Sequence, residues 1–239
     1  MTICKGCGKD EKLIKAHIIP ESFFCGLRDG QKPPKMHFSD KGSYPKKVPI
    51  GIYDKEILCF DCEQIFKSID DYGNQVLLKK ESDLEPLVQS GNIVGYLKKD
   101  LDYSKLKLFF MSILWRASVS NHDFYSNVKL GKLEKTLKGL VWDNHSGSLH
   151  DFSFVLAKFV DNGGDRAILS PHKERFFGIS YYRFYLYGYI LYIKADSQKT
   201  PERWTKFISQ KNNTLAIVSR GLIENSKEYP VILKAVQKN

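Results

Sequence analysis

Four cysteines in two Cys-x-x-Cys pairs are the residues of this chain best suited to chemistry: Cys4 with Cys7, and Cys59 with Cys62. Each pair can supply two thiolates to one edge of a tetrahedron, the geometry in which proteins bind zinc. The second pair closes a loop over residues 8–58, so zinc would hold the whole N-terminal segment together. Because four sulfur ligands leave no open coordination position, the spacing predicts a structural Zn²⁺ site and not a catalytic one.

A histidine, His17, lies inside the loop that these cysteines would close. It lies at the end of an apolar run, Leu13 to Ile19, and is followed by Ile18, Ile19 and Pro20. A lone histidine beside β-branched residues is in general more often a core or strand residue than a catalyst. Its place within the cysteine frame makes it the candidate for a functional role.

The elements around the cysteines follow from residue type. β-Branched residues predict one strand before Pro20 and a second over Ile52 to Leu58. Residues 26–51 are rich in glycine, proline and lysine and predict a long loop, which zinc would anchor. Apolar residues at helical spacing after Cys62 predict a helix. The order is therefore strand, loop, strand, helix, a zinc-stapled ββα unit.

This combination resembles the HNH nucleases, the zinc-bearing branch of the His-Me finger endonucleases. Their pattern runs C-x-x-C, a strand with H-I-[IV]-P, a second strand with N-L, then L-C-x-x-C and a helix. The resemblance covers roughly the first 72 residues and says nothing about the rest. The residues that match this pattern are Cys4, Cys7, His17, Ile18, Ile19, Pro20, Leu58, Cys59 and Cys62.

The resemblance implies a phosphodiester hydrolase. His17 would be the general base that takes a proton from water. A single Mg²⁺ or Mn²⁺ ion would hold the scissile phosphate and neutralise charge on the leaving oxygen.

The chain departs from the family pattern around that ion. Ala16 stands before the histidine, where the family often has a metal ligand, and Asp54 and Glu63 stand at the N position and at the last H. Both carboxylates suit a hard cation, and Asp70, two helical turns after Glu63, is a further candidate ligand. Equally, Glu63 could serve only as a favourable anion in the first turn of the helix.

The remainder of the chain predicts an α+β fold, with helices followed by an antiparallel sheet. Residues 76–102 are charged and weakly patterned and are predicted as a connector between a head, 1–75, and a second domain, 103–239. Arg116 ends an apolar helical run. It is interpreted as a snorkelling or helix-terminal cation, or alternatively as a phosphate contact or a domain-interface pair. The helical and strand segments behind these predictions are Leu106–Ala117, Leu130–Val141, Phe152–Leu156, Phe177–Ile193, Leu215–Val218 and Val231–Leu233.

Net charge and hydropathy limit the kinds of partner and the cellular location that we expect. The net charge of +10 lies mostly beyond residue 100, where it is +9, and residues 28–47 are locally basic. A basic surface favours nucleic acid, and we expect DNA in preference to RNA, although it also simply aids solubility. The apolar runs are too short to span a bilayer and the N-terminus lacks an apolar signal segment, so we expect a cytoplasmic protein. A homodimer or a partner subunit is also expected.

Two functions follow from these features. The first is a DNA endonuclease, similar to those of bacterial defence or restriction systems, in which residues 1–75 cut and the remainder targets or dimerises. The second is a catalytically inactive, zinc-stapled module that binds nucleic acid or protein.

Overall fold

The computed structural model describes residues 2–25, 35–37, 46–47, 51–80, 83–160, 168–208, 213–227 and 229–230. Within them the chain is an α+β fold, which confirms the predicted class. The helices are α1 (Ser22–Cys25), α2 (Phe60–Gln64), α3 (Lys67–Asn74), α4 (Tyr103–Val119), α5 (Leu133–Trp142) and α6 (Glu202–Ile208). The strands are β1 (Ala16–His17), β2 (Lys35–His37), β3 (Lys46–Lys47), β4 (Tyr53–Asp54), β5 (Glu85–Gln89), β6 (Asn92–Lys98), β7 (Phe154–Lys158), β8 (Ile168–Leu169), β9 (His172–Phe176), β10 (Ile179–Leu186), β11 (Tyr189–Lys194) and β12 (Leu215–Ser219).

A seven-stranded sheet forms the largest layer, with the order β5-β6-β12-β7-β11-β10-β9. The aromatic-rich segment Phe177–Ile193 contains β10 and most of β11, which are joined by a tight turn at Tyr187 and Gly188. Both turn residues have positive φ, as a two-residue type I′ hairpin turn requires. β12 pairs antiparallel with β6 and parallel with β7. The sheet is therefore mixed, and the prediction of a purely antiparallel sheet needs this correction.

The segment predicted as a connector contributes to this sheet. β5 and β6 both lie within residues 76–102, and the helical part of that segment is a single π-helical turn over Gln75–Lys79. The strands thus begin before the long helices and not only after them. The sequence pattern does not reveal this hairpin, because β5 is an exposed edge strand with no buried face to impose alternation.

Helix α4 runs through the centre of the hydrophobic core. Asp102 caps its N-terminus by accepting a 2.9 Å hydrogen bond from the backbone N–H of Lys105. Fourteen of its seventeen residues are buried, because the N-terminal unit, α5 and the sheet all pack around it. One continuous cluster of buried side chains extends from Cys4 to Ile217, so the cysteine unit and the sheet share a core.

Two small sheets complete the described structure. β1 and β4 form a two-stranded antiparallel ladder in the N-terminal unit, and α2 and α3 follow β4. A second small sheet has the order β3-β2-β8. No helix among the described residues is long and apolar enough to cross a membrane. The strand predicted over Val231–Leu233 and most of the basic stretch 28–47 lie outside the described residues.

Candidate functional site

The four cysteines of the two Cys-x-x-Cys pairs come together. Their sulfur atoms all lie within 4.8 Å of one another, and Cys7 Sγ is 4.0 Å from Cys59 Sγ. Zinc–sulfur bonds of about 2.3 Å in a tetrahedron place sulfurs about 3.8 Å apart, so this spacing suits zinc. None of the four cysteines forms a disulfide bond. The cluster could therefore hold a metal ion such as zinc.

The electrostatics of the cluster favour a bound cation. Burial raises the pKa of Cys4, but hydrogen bonds from the backbone N–H groups of Cys59, Cys7 and Gly6 outweigh it and lower the pKa to about 7. Burial and the neighbouring sulfurs raise the pKa of Cys62. Crowded sulfurs oppose each other's ionisation, and a divalent cation between them removes that opposition.

The cluster is built into the core by close backbone packing. An atom added as Cβ at Gly6 would lie 2.7 Å from the sulfur of Cys62 and 2.9 Å from the ring of Trp142. Only glycine fits this position, because any side chain would displace the thiol of Cys62. Trp142 belongs to α5, so the first cysteine pair rests directly on the second half of the chain.

The register of the β1–β4 ladder decides which way His17 points. Ala16 lies opposite Asp54, and His17 lies opposite Tyr53. Residues directly opposite each other share a face of the ladder. His17 therefore shares a face with Tyr53, whose ring centroid is 5.9 Å from its own, and Asp54 points to the other face.

The carboxylate of Asp54 is engaged in hydrogen bonds. Its Oδ2 accepts 2.8 Å bonds from the hydroxyl of Ser120 and from the backbone N–H of Asn121. Its Oδ1 accepts a 2.8 Å bond from the backbone N–H of Glu56. Asp54 is buried, and these bonds hold β4 against the C-terminal end of α4.

Arg116, from α4, lies at the contact between the N-terminal unit and the rest of the fold. Its side chain is 0% exposed, and it forms a two-point ion pair with Asp70 at 2.7 and 2.9 Å. It also donates a 2.9 Å bond to the backbone carbonyl of His17, and its Nε and Nη2 bond to Ser112. The guanidinium packs 4.7 Å from the ring centre of Phe66.

The electrostatics around Arg116 keep it charged. Burial lowers its pKa, but the carboxylates of Asp70 and Glu63 outweigh burial and raise it. Such a two-point arginine–carboxylate pair compensates two charges that would otherwise be costly to bury. Of the two interpretations of Arg116, the domain-interface pair describes this geometry.

Glu63 interacts with the backbone of His17 and retains a carboxylate oxygen that has no hydrogen-bond partner among the described residues. The pKa of its carboxyl is raised, chiefly by burial and also by the charge of Asp70. The charge of Arg116 and the backbone N–H of His17 oppose this shift. The oxygen without a partner among the described residues, Oε2 of Glu63, is buried. A buried carboxylate oxygen of this kind is costly unless something binds it.

The structure thus links Glu63 and Asp70 to the backbone of His17, directly and through Arg116, and Asp54 lies on the other face of the ladder. Among the described residues, only the four cysteines form a group of three or more metal-ligating atoms close enough to share one ion. Sequence reasoning missed Ser120 and Asn121 as partners of Asp54. The ion pair of Arg116 has a signal in the sequence: an arginine on the apolar face of a helix is buried on folding, and a buried arginine needs an anion as its partner.

No protein-family model, curated protein or solved structure matches this chain.

Proposed function

We propose that this protein is a divalent-metal-dependent endonuclease that hydrolyses phosphodiester bonds of DNA, with a structural zinc ion on Cys4, Cys7, Cys59 and Cys62. The observation that carries the proposal is that two carboxylates are tied to the backbone of His17: Glu63 interacts with its N–H, and Asp70 pairs with Arg116, which bonds to its carbonyl. A role in defence or restriction remains a prediction from the resemblance.

The residues fit a hard cation in part. Mg²⁺ is commonly bound through one or two carboxylates together with phosphate oxygens and water. Glu63 suits this role, because its buried Oε2 lacks a partner among the described residues. Both oxygens of Asp70 already accept hydrogen bonds from Arg116, so this carboxylate could bind a cation only through its remaining lone pairs. Asp54 points to the opposite face of the β1–β4 ladder. A bound Mg²⁺ or Mn²⁺ would supply charge neutralisation at the phosphate.

His17 would act as the general base. Its backbone is fixed on both sides, because Arg116 donates to its carbonyl and its N–H interacts with Glu63. The ring is half-buried beside Tyr53, so a fixed imidazole can meet a water molecule at the surface. A neutral imidazole there would take the proton of that water as its oxygen attacks phosphorus.

Plasmid cleavage tests this function. We expect purified protein to nick or linearise supercoiled plasmid in the presence of Mg²⁺ or Mn²⁺, and His17→Ala to lose about 10²–10⁴-fold in rate. Glu63→Gln is expected to lose activity and to need more metal. His145→Ala is the matched control, because His145 is exposed and bonds only locally, to the N–H of Gly147. Equal activity of His17→Ala and wild type would refute the role of His17.

The second candidate is a zinc-stapled binding module without catalysis. The observation that favours it is the use of two carboxylates as structural partners, Asp54 by Ser120 and Asn121 and Asp70 by Arg116. The expected result for this module is retarded duplex DNA on a gel with no nicking under any divalent ion. That result would also exclude the endonuclease.

A further inference from the structure

Helix α5 and the residues just before it carry a row of lysines on the surface of the molecule. Lys129, Lys132, Lys135 and Lys138 recur at intervals of three residues, and the first three are exposed. The inward face of the helix is apolar, with Leu137 and Val141 buried against the core. The outward face is Lys132, Lys135, Thr136 and Gly139, all of them exposed.

This row of lysines is not neutralised by its own helix. Glu134 is the only carboxylate in residues 129–142, and its Oε2 accepts a 3.0 Å hydrogen bond from the hydroxyl of Ser118 on α4. Glu134 is thus turned toward the core. The backbone of Lys129 is fixed by two hydrogen bonds with the hydroxyl of Tyr182, so the row begins at an anchored position.

The basic row continues onto the first cysteine pair. Lys138 Nζ donates a 2.9 Å bond to the backbone carbonyl of Lys5, which joins α5 to that pair. Lys5 and Lys9 are exposed, and residues 3–9 contain no carboxylate. We call Lys5, Lys9, Lys129, Lys132, Lys135 and Lys138 the α5–knuckle surface.

We infer that the α5–knuckle surface binds the phosphate backbone of duplex DNA. Lys132, Lys135 and Lys138 follow one another about every 4.5 Å along the helix and turn by about 60° around its axis at each step, so with Lys129 they form a slanting band of positive charge that suits a polyanion. Lysine ammonium groups act as point charges, which contact phosphates without reading sequence. The inference rests on the proposed function only for the choice of DNA as partner.

Two further features match a duplex. A Cβ built at Gly139 meets no atom within 4 Å, so the middle of the row is bare and a sugar–phosphate strand can approach the helix closely. The one aromatic residue in residues 129–142, Trp142, is packed edge-on against Phe66 and Trp115. Its ring is already engaged by Phe66, Trp115 and the ammonium of Lys138, and residues 129–142 hold no other aromatic side chain on which unpaired bases could stack.

A salt series tests this surface. The triple variant Lys129→Gln, Lys132→Gln, Lys135→Gln is compared with wild type by fluorescence anisotropy on a labelled duplex, without added Mg²⁺ or Mn²⁺. The slope of log K against log salt is expected to fall by about 0.9 for each lost phosphate contact, and affinity by about 10-fold or more at low salt. The matched control is Lys67→Gln, Lys79→Gln, Lys173→Gln, which removes the same charge from exposed lysines elsewhere.

Equal losses in the two triple variants would overturn the inference, because net charge alone would then explain binding. An unchanged slope in the α5 variant would overturn it as well. Competition by poly-glutamate with the same salt dependence would assign the surface to acidic polypeptides instead. Because no step of this test requires cleavage, an inactive protein that still binds through α5 would refute the proposed function and leave this surface intact.

Discussion

Arg116 is the residue on which the geometry of the candidate site depends most. Its guanidinium is fully buried and contacts three elements: β1 through the carbonyl of His17, α3 through Asp70, and its own helix through Ser112. All of its nitrogen atoms donate within this network. A charge held in this way fixes the distance between α4 and the strand that carries His17.

Removing one partner of this ion pair should be costly. Arg116→Met leaves the carboxylate of Asp70 buried without compensation, and we expect a loss of about 3–5 kcal/mol in the free energy of unfolding, measured by urea denaturation. The double variant Arg116→Met, Asp70→Leu should lose less than the sum of the single variants. Arg175→Met is the control, because Arg175 is exposed and bonds to the carbonyl of Gly178. Strict additivity in the double variant would show that the pair is not coupled.

The sequence predicts individual residues of the site unequally. The cysteine cluster is confirmed, because identical short spacings in two pairs allow few other arrangements. The partners of Asp54 could not be predicted, since Ser120 and Asn121 lie 66 and 67 residues further along the chain. Only the packing of α4 against the β1–β4 ladder brings these residues together.

In helix α4, the apolar periodicity of the sequence predicts the helix but not the burial of its charged residues. Apolar spacing predicts the helix, and the structure confirms it over Tyr103–Val119. The polar residues Lys107 and Arg116 are buried in it as well, because the helix is surrounded by packed elements on all sides. Lys107 is 1% exposed and donates a 2.6 Å bond to the carbonyl of Ser148.

The burial of Lys107 predicts a pH dependence of stability. Burial lowers its pKa from 10.5 to about 8, while Asp151 opposes and Lys194 adds to that shift. Between these two pH values the unfolded chain binds the proton and the folded chain does not, so stability rises with pH. We expect the stability of wild type relative to Lys107→Met to rise by about 3 kcal/mol across this window.

Urea denaturation of both proteins at a series of pH values measures this difference. The comparison cancels the other groups that titrate in the same range. A constant difference between wild type and Lys107→Met would show that Lys107 keeps its proton in the folded state.

At the scale of the whole molecule, the cysteine cluster and the sheet belong to one core. The continuous cluster of buried side chains includes Cys4, Cys59 and Cys62 together with Leu215 and Ile217 of β12. The division into head, connector and second domain stays a prediction, and any such units share this core. Loss of the metal is therefore expected to affect more than the N-terminal unit.

Removal of a metal ligand tests this expectation. Cys59→Ser should lose bound zinc and lower the melting temperature of the whole chain, because structural zinc supplies folding free energy on the order of 10 kcal/mol in small units. Cys25→Ser is the matched control, since Cys25 is exposed and lies outside the cluster. Zinc content and calorimetry measure the two effects. A native melting transition in Cys59→Ser would show that the zinc assignment is wrong.

The position of β12 has a consequence for the nascent chain. β12 lies between β6 and β7, although more than a hundred residues separate it from β6 along the sequence. As the polypeptide leaves the ribosome, β6 and β7 are synthesised before Leu215–Ser219, the strand that pairs with both of them. Until that strand emerges, the β5–β6 hairpin and the sheet formed by β7 and the β9–β10–β11 meander each have an unpaired edge. Open edges pair readily with other chains. Synthesis is therefore the period in which strand pairing with another chain competes most directly with the native fold.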